Sequence, residues 1–580
     1  MRVGMVFVAG LAAALSCAPA AAKCSVANFA VLNVTMQGTK AMTDAEINGH
    51  SVRFIVDSGA FFSVIAPATA REFGLSVDPM PANFELRGIG GSASAGVTKV
   101  GALKLAGISL KGIQFIVGGS DTGSAGVLGQ NVLGLRDVEY DLQHGAVRLM
   151  DPKDCAGQGM AYWANGKPVT ELPIEEVDDR DRHTIATVLV NGVKMRAVFD
   201  TGAAGTSITP AAAKRAGVTP DSPGAVKDGY AHGVGSRQVV TWRAPFDNFE
   251  LGGEKLHHVI LAVHDLGGDA DMLIGADFFL SHRVYVANSD RRIFFTYEGG
   301  PVFGVNPSGA VTGTGDKIAL TDSGQEPTDA AGYNARGTAA ASRKDYASAL
   351  ADLNHAVEMA PNEGRYYFQR AQIRLALRQQ PLAFEDLDMA HKLAPTDPDI
   401  LMAHAAMARV RRDQAAASDD LKAADGVLPQ EADSRLRLAS LYAVFDNQEA
   451  ALANFDSWLH FHGEDAERPA AFNGRCYARA ILNRELDKAL SDCNTAIRLR
   501  PGTAAYYDSR ALVHLRRGDY KEAVDDYTTT LNLQPNMVMT RYLRGIAEGK
   551  LGQSEAAKKD HDAAVAVDAK VATAAARLGF

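Results

Sequence analysis

One short motif occurs twice in this chain, and the spacing of a whole fold comes with it. Asp57-Ser58-Gly59-Ala60 and Asp200-Thr201-Gly202-Ala203 each end an apolar run, Phe54-Ile55-Val56 in one copy and Ala197-Val198-Phe199 in the other. Asn48-Gly49 stands nine residues before the first aspartate, and Asn191-Gly192 nine before the second. Asn-Gly between alternating apolar runs predicts a tight hairpin, because both central residues need positive φ. Ser63 and Thr206 then follow at matching offsets, as do Pro67 and Pro210, and Gly74 and Gly217. The alanine-rich segments between those prolines and glycines predict short helices that stop at the glycine. Farther along come a glycine-rich tip (Gly88-Ile89-Gly90-Gly91, then Gly233-Val234-Gly235) and a hairpin around Gly107, matched at Gly252-Gly253. An apolar pair before glycine closes each copy, Val127-Leu128-Gly129 and Leu273-Ile274-Gly275. A duplication on this scale predicts two lobes of like fold.

These landmarks resemble the retropepsin-like aspartic peptidases over roughly residues 40–300, about half of the chain. The resemblance implies two all-β acid-protease lobes with Asp57 and Asp200 as a catalytic pair. Two carboxyls at close range resist joint ionisation, so one keeps a proton while the other activates water. Ser58 and Thr201 are expected to orient the carboxylates through their hydroxyls, and Gly59 and Gly202 to allow a tight turn. Gly88, Ile89, Gly90, Gly91, Gly233, Val234 and Gly235 are expected to form flaps over an extended peptide, with the second flap reduced. The implied reaction is endopeptidic amide hydrolysis without metal or cofactor. Asp121-Thr122-Gly123-Ser124 is a third match, but it follows Gly118-Gly119-Ser120 rather than an apolar strand and reads as a loop. Two alternatives stay open: a non-catalytic periplasmic peptide-binding scaffold, and lobes that pair with their twins in another chain rather than with each other.

The chain has 580 residues, enough for two to four domains. Its net charge of −9 is spread without a basic block, which argues against nucleic acid as a partner. Arg2, an apolar stretch from about Val6 to Leu15 and Ala20-Ala21-Ala22 predict a signal peptide over residues 1–22 and export, into a bacterial periplasm. Lipid anchoring at Cys17 is the lesser alternative, since Ala14 stands where such a box prefers leucine. No stretch is long and apolar enough to predict a membrane span. Cys24, Cys155, Cys476 and Cys493 remain after cleavage. Cys24 lies near one end of the first lobe and Cys155 near the other, so the two are candidates to join, with buried free thiols as the other reading. His and Cys show no metal-type spacing.

The first lobe is placed at 23–160, the second at 161–300 and a Gly/Pro/Ser/Thr-rich linker at 301–328. Beyond it, Pro361, Pro395 and Pro429 recur every 34 residues, as do Pro501 and Pro535. Gly337, Ala371, Ala405, Ala439, Ala511 and Gly545 fall at one place of the repeat. This period resembles tetratricopeptide repeats and implies an all-α solenoid of seven units over 329–580, with a groove for a protein partner. Four extra residues lie around His460–Glu467. Cys476 and Cys493 occupy places that face each other between paired helices, so a disulfide and an ordinary core pair are both open. The oligomeric expectation is a monomer containing an internal pseudo-dimer.

Overall fold

In the computed structural model the described residues are 24–80, 86–93, 95–119, 124–175, 183–231, 233–234, 238–303, 326–463 and 465–580. The expected signal peptide, Cys17, Asp121-Thr122-Gly123 of the third match, Gly235 and most of the expected linker lie outside them.

The N-terminal half is all-β. In the first lobe, strands Lys40–Ile47 and His50–Val56 pair up to Ile47 and His50, and Asn48 and Gly49 supply the turn with φ of 50° and 89°. Ile185–Val190 and Val193–Phe199 repeat this hairpin around Asn191 and Gly192, at 49° and 77°. Pro67–Glu72 and Pro210–Arg215 are the two short helices, followed by Gly74 and Gly217 at positive φ. The hairpins at Gly107 and Gly252-Gly253 also form, closing the pairs Leu105/Ile108 and Leu251/Glu254.

The lobes join through a shared sheet. Asp137–Asp141 of the first runs antiparallel to His282–Ala287 of the second, with Glu139 opposite Tyr285. One apolar core runs through both lobes and includes Ala339 of the helical array. Antiparallel pairing across a pseudo-two-fold brings equivalent loops of the two copies face to face, which positions the site. Val302 and Phe303 are 0% and 2% exposed, and Phe303 packs against Phe249 and Phe278. Both residues therefore belong to the second lobe, because burying such side chains outweighs the turn-rich composition that begins nearby.

The C-terminal half is a helical solenoid. Seven helix pairs run from Ala330–Ser342 and Tyr346–Met359 to Val538–Lys550 and Ser554–Val567, and Val571–Arg577 adds a terminal helix. A ladder of buried charge runs through it. Arg336 grips Asp352 by two hydrogen bonds at 2.8 and 2.7 Å, Arg370 grips Asp386, Arg510 grips Asp526 and Arg544 grips Asp560. Each pair is separated by sixteen residues, so an arginine on the first helix of a unit meets an aspartate on the second. Two parallel N–H···O bonds keep each buried carboxylate satisfied.

The array rests against the first lobe at two places. In the first unit, Thr338 Oγ1 accepts from the Met36 amide at 3.2 Å. In the elbow made by the extra residues, Arg71 donates to the Phe461 carbonyl at 3.0 Å and stacks over its ring. Cys24–Cys155 and Cys476–Cys493 are both disulfide-bonded.

Candidate active site

Each aspartate sits where an apolar strand runs out. Asp57 follows Val56, and its amide donates to the Leu128 carbonyl at 3.0 Å; the Asp200 amide donates to the Ile274 carbonyl at 2.9 Å. The apolar-pair strands Gly126–Leu128 and Met272–Ile274 run parallel to the aspartate strands, as their shared landmark predicts. The motif turns fold back on their own carboxylates. Gly59 and Ala60 amides donate to Asp57 Oδ1 at 2.9 and 2.8 Å, and Gly202 and Ala203 amides to Asp200 Oδ1 at 2.8 and 3.1 Å.

The two carboxyls meet and hydrogen-bond to each other. Burial, the neighbouring Asp200 charge and this bond hold Asp57 well above the usual carboxylate range. Burial also raises Asp200, while the bond from Asp57, the Gly202 and Ala203 amides and His183 pull it back down. The pair thus favours one shared proton.

Ser58 and Thr201 do something other than expected. Their hydroxyls do not point at the carboxylates. Thr201 Oγ1 accepts from the Ser58 amide at 3.0 Å and donates to the Val56 carbonyl at 2.8 Å. Ser58 Oγ accepts from the Thr201 amide at 2.9 Å and donates to the Phe199 carbonyl at 2.8 Å. Both side chains are buried. Each copy therefore satisfies the backbone of the other, and the four bonds lock the two turns together. Thr201→Val removes a hydroxyl at nearly constant volume and strands the Ser58 amide and the Val56 carbonyl. The expected cost is about 1–3 kcal/mol for each stranded group, read as a lower urea midpoint, with Thr201→Ser close to the parent.

Gly59 and Gly202 form the expected tight turns, with their amides on the carboxylates, but not through a left-handed backbone. Neither adopts positive φ. A methyl on Gly59 would fall on the Asp200 carboxyl, and one on Gly202 would fall on that of Asp57. The glycines are needed because the opposite carboxylate occupies the space of their missing side chains.

Family comparisons agree with this geometry. Residues 43–134 match the family described as "gag-polyprotein putative aspartyl protease", and residues 186–278 match the family described as "Aspartyl protease". The N-terminal half carries two aspartyl protease domains. Among curated proteins, Protein SGT1 homolog of Bos taurus is 32% identical over 74 residues, covering 13% of this chain and 22% of that protein. Serine/threonine-protein phosphatase 5 of Mus musculus is 32% identical over 84 residues, covering 14% and 17%. The chain thus spans about a fifth of the length of these curated relatives. A tetratricopeptide repeat protein from Parabacteroides merdae is 16% identical, with 43% of this chain and 98% of that chain covered and a TM-score of 0.34. YrrB, described as a TPR protein with an unusual peptide-binding site, is 15% identical over 32% of this chain and 95% of its own, with a TM-score of 0.28.

In both protease domains a further residue supports the site without having been singled out in the sequence. Asn131 Oδ1 accepts from the Ser63 amide and hydroxyl at 2.6 and 2.7 Å. Asp277 Oδ1 does the same for Thr206, at 2.9 and 2.7 Å. Ser63 and Thr206 in turn accept from the Gly129 and Gly275 amides at 2.9 and 3.0 Å. The apolar-pair strand is thereby tied beside each aspartate turn. Tyr140 is fully buried in the shared sheet, and burial pushes its phenol above its ordinary value.

The glycine-rich tips take unequal forms. Leu86–Gly88 and Gly91–Ala93 make a two-stranded hairpin with Ile89 and Gly90 at its end. In the second domain Val226–Ala231 pairs with Val239–Leu251 by a shifted register, and Gly233 and Val234 lie beyond that pairing. The two tips touch: a methyl on Gly88 would press on Val234, and one on Gly233 on Ile89. Among the described residues, no helix is long and apolar enough to cross a membrane.

Proposed function

We propose that this chain is an exported aspartic endopeptidase whose helical array recruits a protein partner or substrate. The observation that carries the reading is the hydrogen-bonded pair Asp57 and Asp200, held in mutual space by Gly59 and Gly202. The ionised carboxyl of the pair takes a proton from a water as the water oxygen attacks the scissile carbonyl carbon. The protonated carboxyl gives its proton to the carbonyl oxygen, and a neutral tetrahedral diol forms. Collapse breaks the C–N bond as the first carboxyl passes its proton to the departing nitrogen and the second takes one from a diol hydroxyl, which restores the pair. The flap tips cover an extended peptide and exclude bulk water. The periplasm is the proposed compartment, supported by the N-terminal sequence and by two disulfides, which persist where thiols are oxidised.

A non-catalytic scaffold would have no use for a second carboxyl at this place. A peptide with a hydroxyl-bearing tetrahedral carbon in place of the scissile amide separates the readings. An enzyme is expected to bind it at least about 100-fold tighter than the parent peptide, because it mimics the diol. Equal affinity for the two peptides would support the scaffold.

A further inference from the structure

The third, fourth and fifth repeat units depart from the charge ladder, the fourth and fifth with Leu438 and Cys476 at the arginine place. At the place of Arg336, Arg370, Arg510 and Arg544 stands His404, sixteen residues before Asp420. His404 Nδ1 lies 2.6 Å from Asp420 Oδ2, so the histidine alone completes this rung. A second histidine then needs its own account. His391 occupies the twenty-eighth place of the preceding unit, where Val357, Leu459, Ile497, Leu531 and Val565 stand in others and Asp425 is the other polar exception. His391 Nε2 lies 3.0 Å from the second Asp420 oxygen, and the two imidazoles stack at 4.4 Å.

We propose that His391, His404 and Asp420 form a binding site for a divalent transition-metal ion of the zinc class. Their ligand atoms all lie within 4.8 Å of one another, against about 3.3 Å between ligands of a tetrahedral zinc ion with bonds near 2.0–2.1 Å. Two imidazoles and one carboxylate are a donor set that zinc accepts, leaving one position for water or an outside ligand. Each ligand comes from a different helix, Gln380–Leu393, Pro398–Arg411 and Gln414–Val427, so the scaffold is rigid. The other His404 nitrogen, Nε2, meets Asp388 Oδ1 at 3.2 Å, and Arg411 pins Asp388 by two bonds of 2.9 Å. A carboxylate behind a ligating histidine fixes the ring and its tautomer. Asp420 is buried, whereas His391 is 34% exposed and gives the ion a way in. Thirteen and sixteen residues separate these groups in sequence, so only the stacking of the repeats reveals the cluster.

The test is a Zn²⁺ titration of the tag-free full chain, followed by calorimetry and by the melting temperature. The parent is expected to bind one equivalent that His404→Arg and His391→Leu both lose. His404→Arg restores the residue found in four other rungs and His391→Leu restores the apolar type, so both are expected to fold. Asp388→Asn, a positioning change, is expected to weaken binding by about 10–100-fold. Zn²⁺ is expected to raise the melting temperature of the parent and leave both histidine variants unmoved. Absence of binding by the parent, or an unchanged equivalent in His404→Arg, would overturn the site and leave His404 as a rung of the ladder only.

Discussion

Gly59→Ala and Gly202→Ala are each expected to reduce cleavage by about 100-fold or more while leaving the lobes folded. The new methyl would overlap the carboxyl of the opposite lobe. That carboxyl is held by two backbone amides of its own turn, so moving it breaks bonds as well as the pairing. Displacement of a reacting group by roughly 1 Å can cost about 100-fold in rate. The backbone itself tolerates alanine at both places, because neither glycine has positive φ. Gly74→Ala makes the control. Gly74 has φ +59° and open space around it. There alanine is expected to cost about 1–2 kcal/mol of backbone strain and no activity. The two glycine types thus predict opposite splits between rate and stability, read by peptide cleavage and urea unfolding.

Asp57→Asn is expected to raise stability at neutral pH and to leave it little changed in acid. The folded pair holds its proton above the unfolded carboxylate range near 3.9, for the reasons of burial and mutual repulsion. Between the unfolded and the raised folded value, the folded state binds more protons than the unfolded one. Stability therefore falls as pH rises through that window, and the penalty is complete above it. Each unit of displacement corresponds to about 1.4 kcal/mol. Below the unfolded value both states are protonated and the penalty vanishes. The amide introduced by Asp57→Asn stays neutral throughout, and its N–H₂ can donate to Asp200 as the protonated carboxyl does. The melting-temperature difference between variant and parent should therefore grow from acid to neutral pH. A difference that is flat across that range would contradict the shared proton.

The local elements of the protease half were legible because their signals are short-range. Asn48-Gly49 and Asn191-Gly192 need only their own backbone preference to set a hairpin. Copy-to-copy spacing then located both aspartates. What escaped depends on contacts between copies. A hydroxyl next to a catalytic aspartate reads as a partner for it, yet Ser58 and Thr201 reach across to Phe199 and Val56. Asn131 and Asp277 both stand two residues after the landmark glycine, but they differ in type and act on residues about seventy positions away, so the shared spacing does not by itself tell their role. The helical array shows the reverse case. Its small-residue period is legible, while an arginine sixteen before an aspartate recurs in only four of the seven units and makes a fainter pattern. Docking of the array on Met36 and Arg71 has no sequence signal, because it joins surfaces formed only after both halves fold.

Cleavage of an unstructured protein by the purified chain, followed from acid to neutral pH beside Asp57→Asn and Asp200→Asn, tests the central claim most directly. One internal pair predicts activity that is greatest in acid and falls as the shared proton is lost. It also predicts that either substitution lowers the rate by about 10²–10⁴-fold, since each carboxyl has its own proton to move. Undiminished cleavage by either variant would contradict a site built from both lobes of one chain.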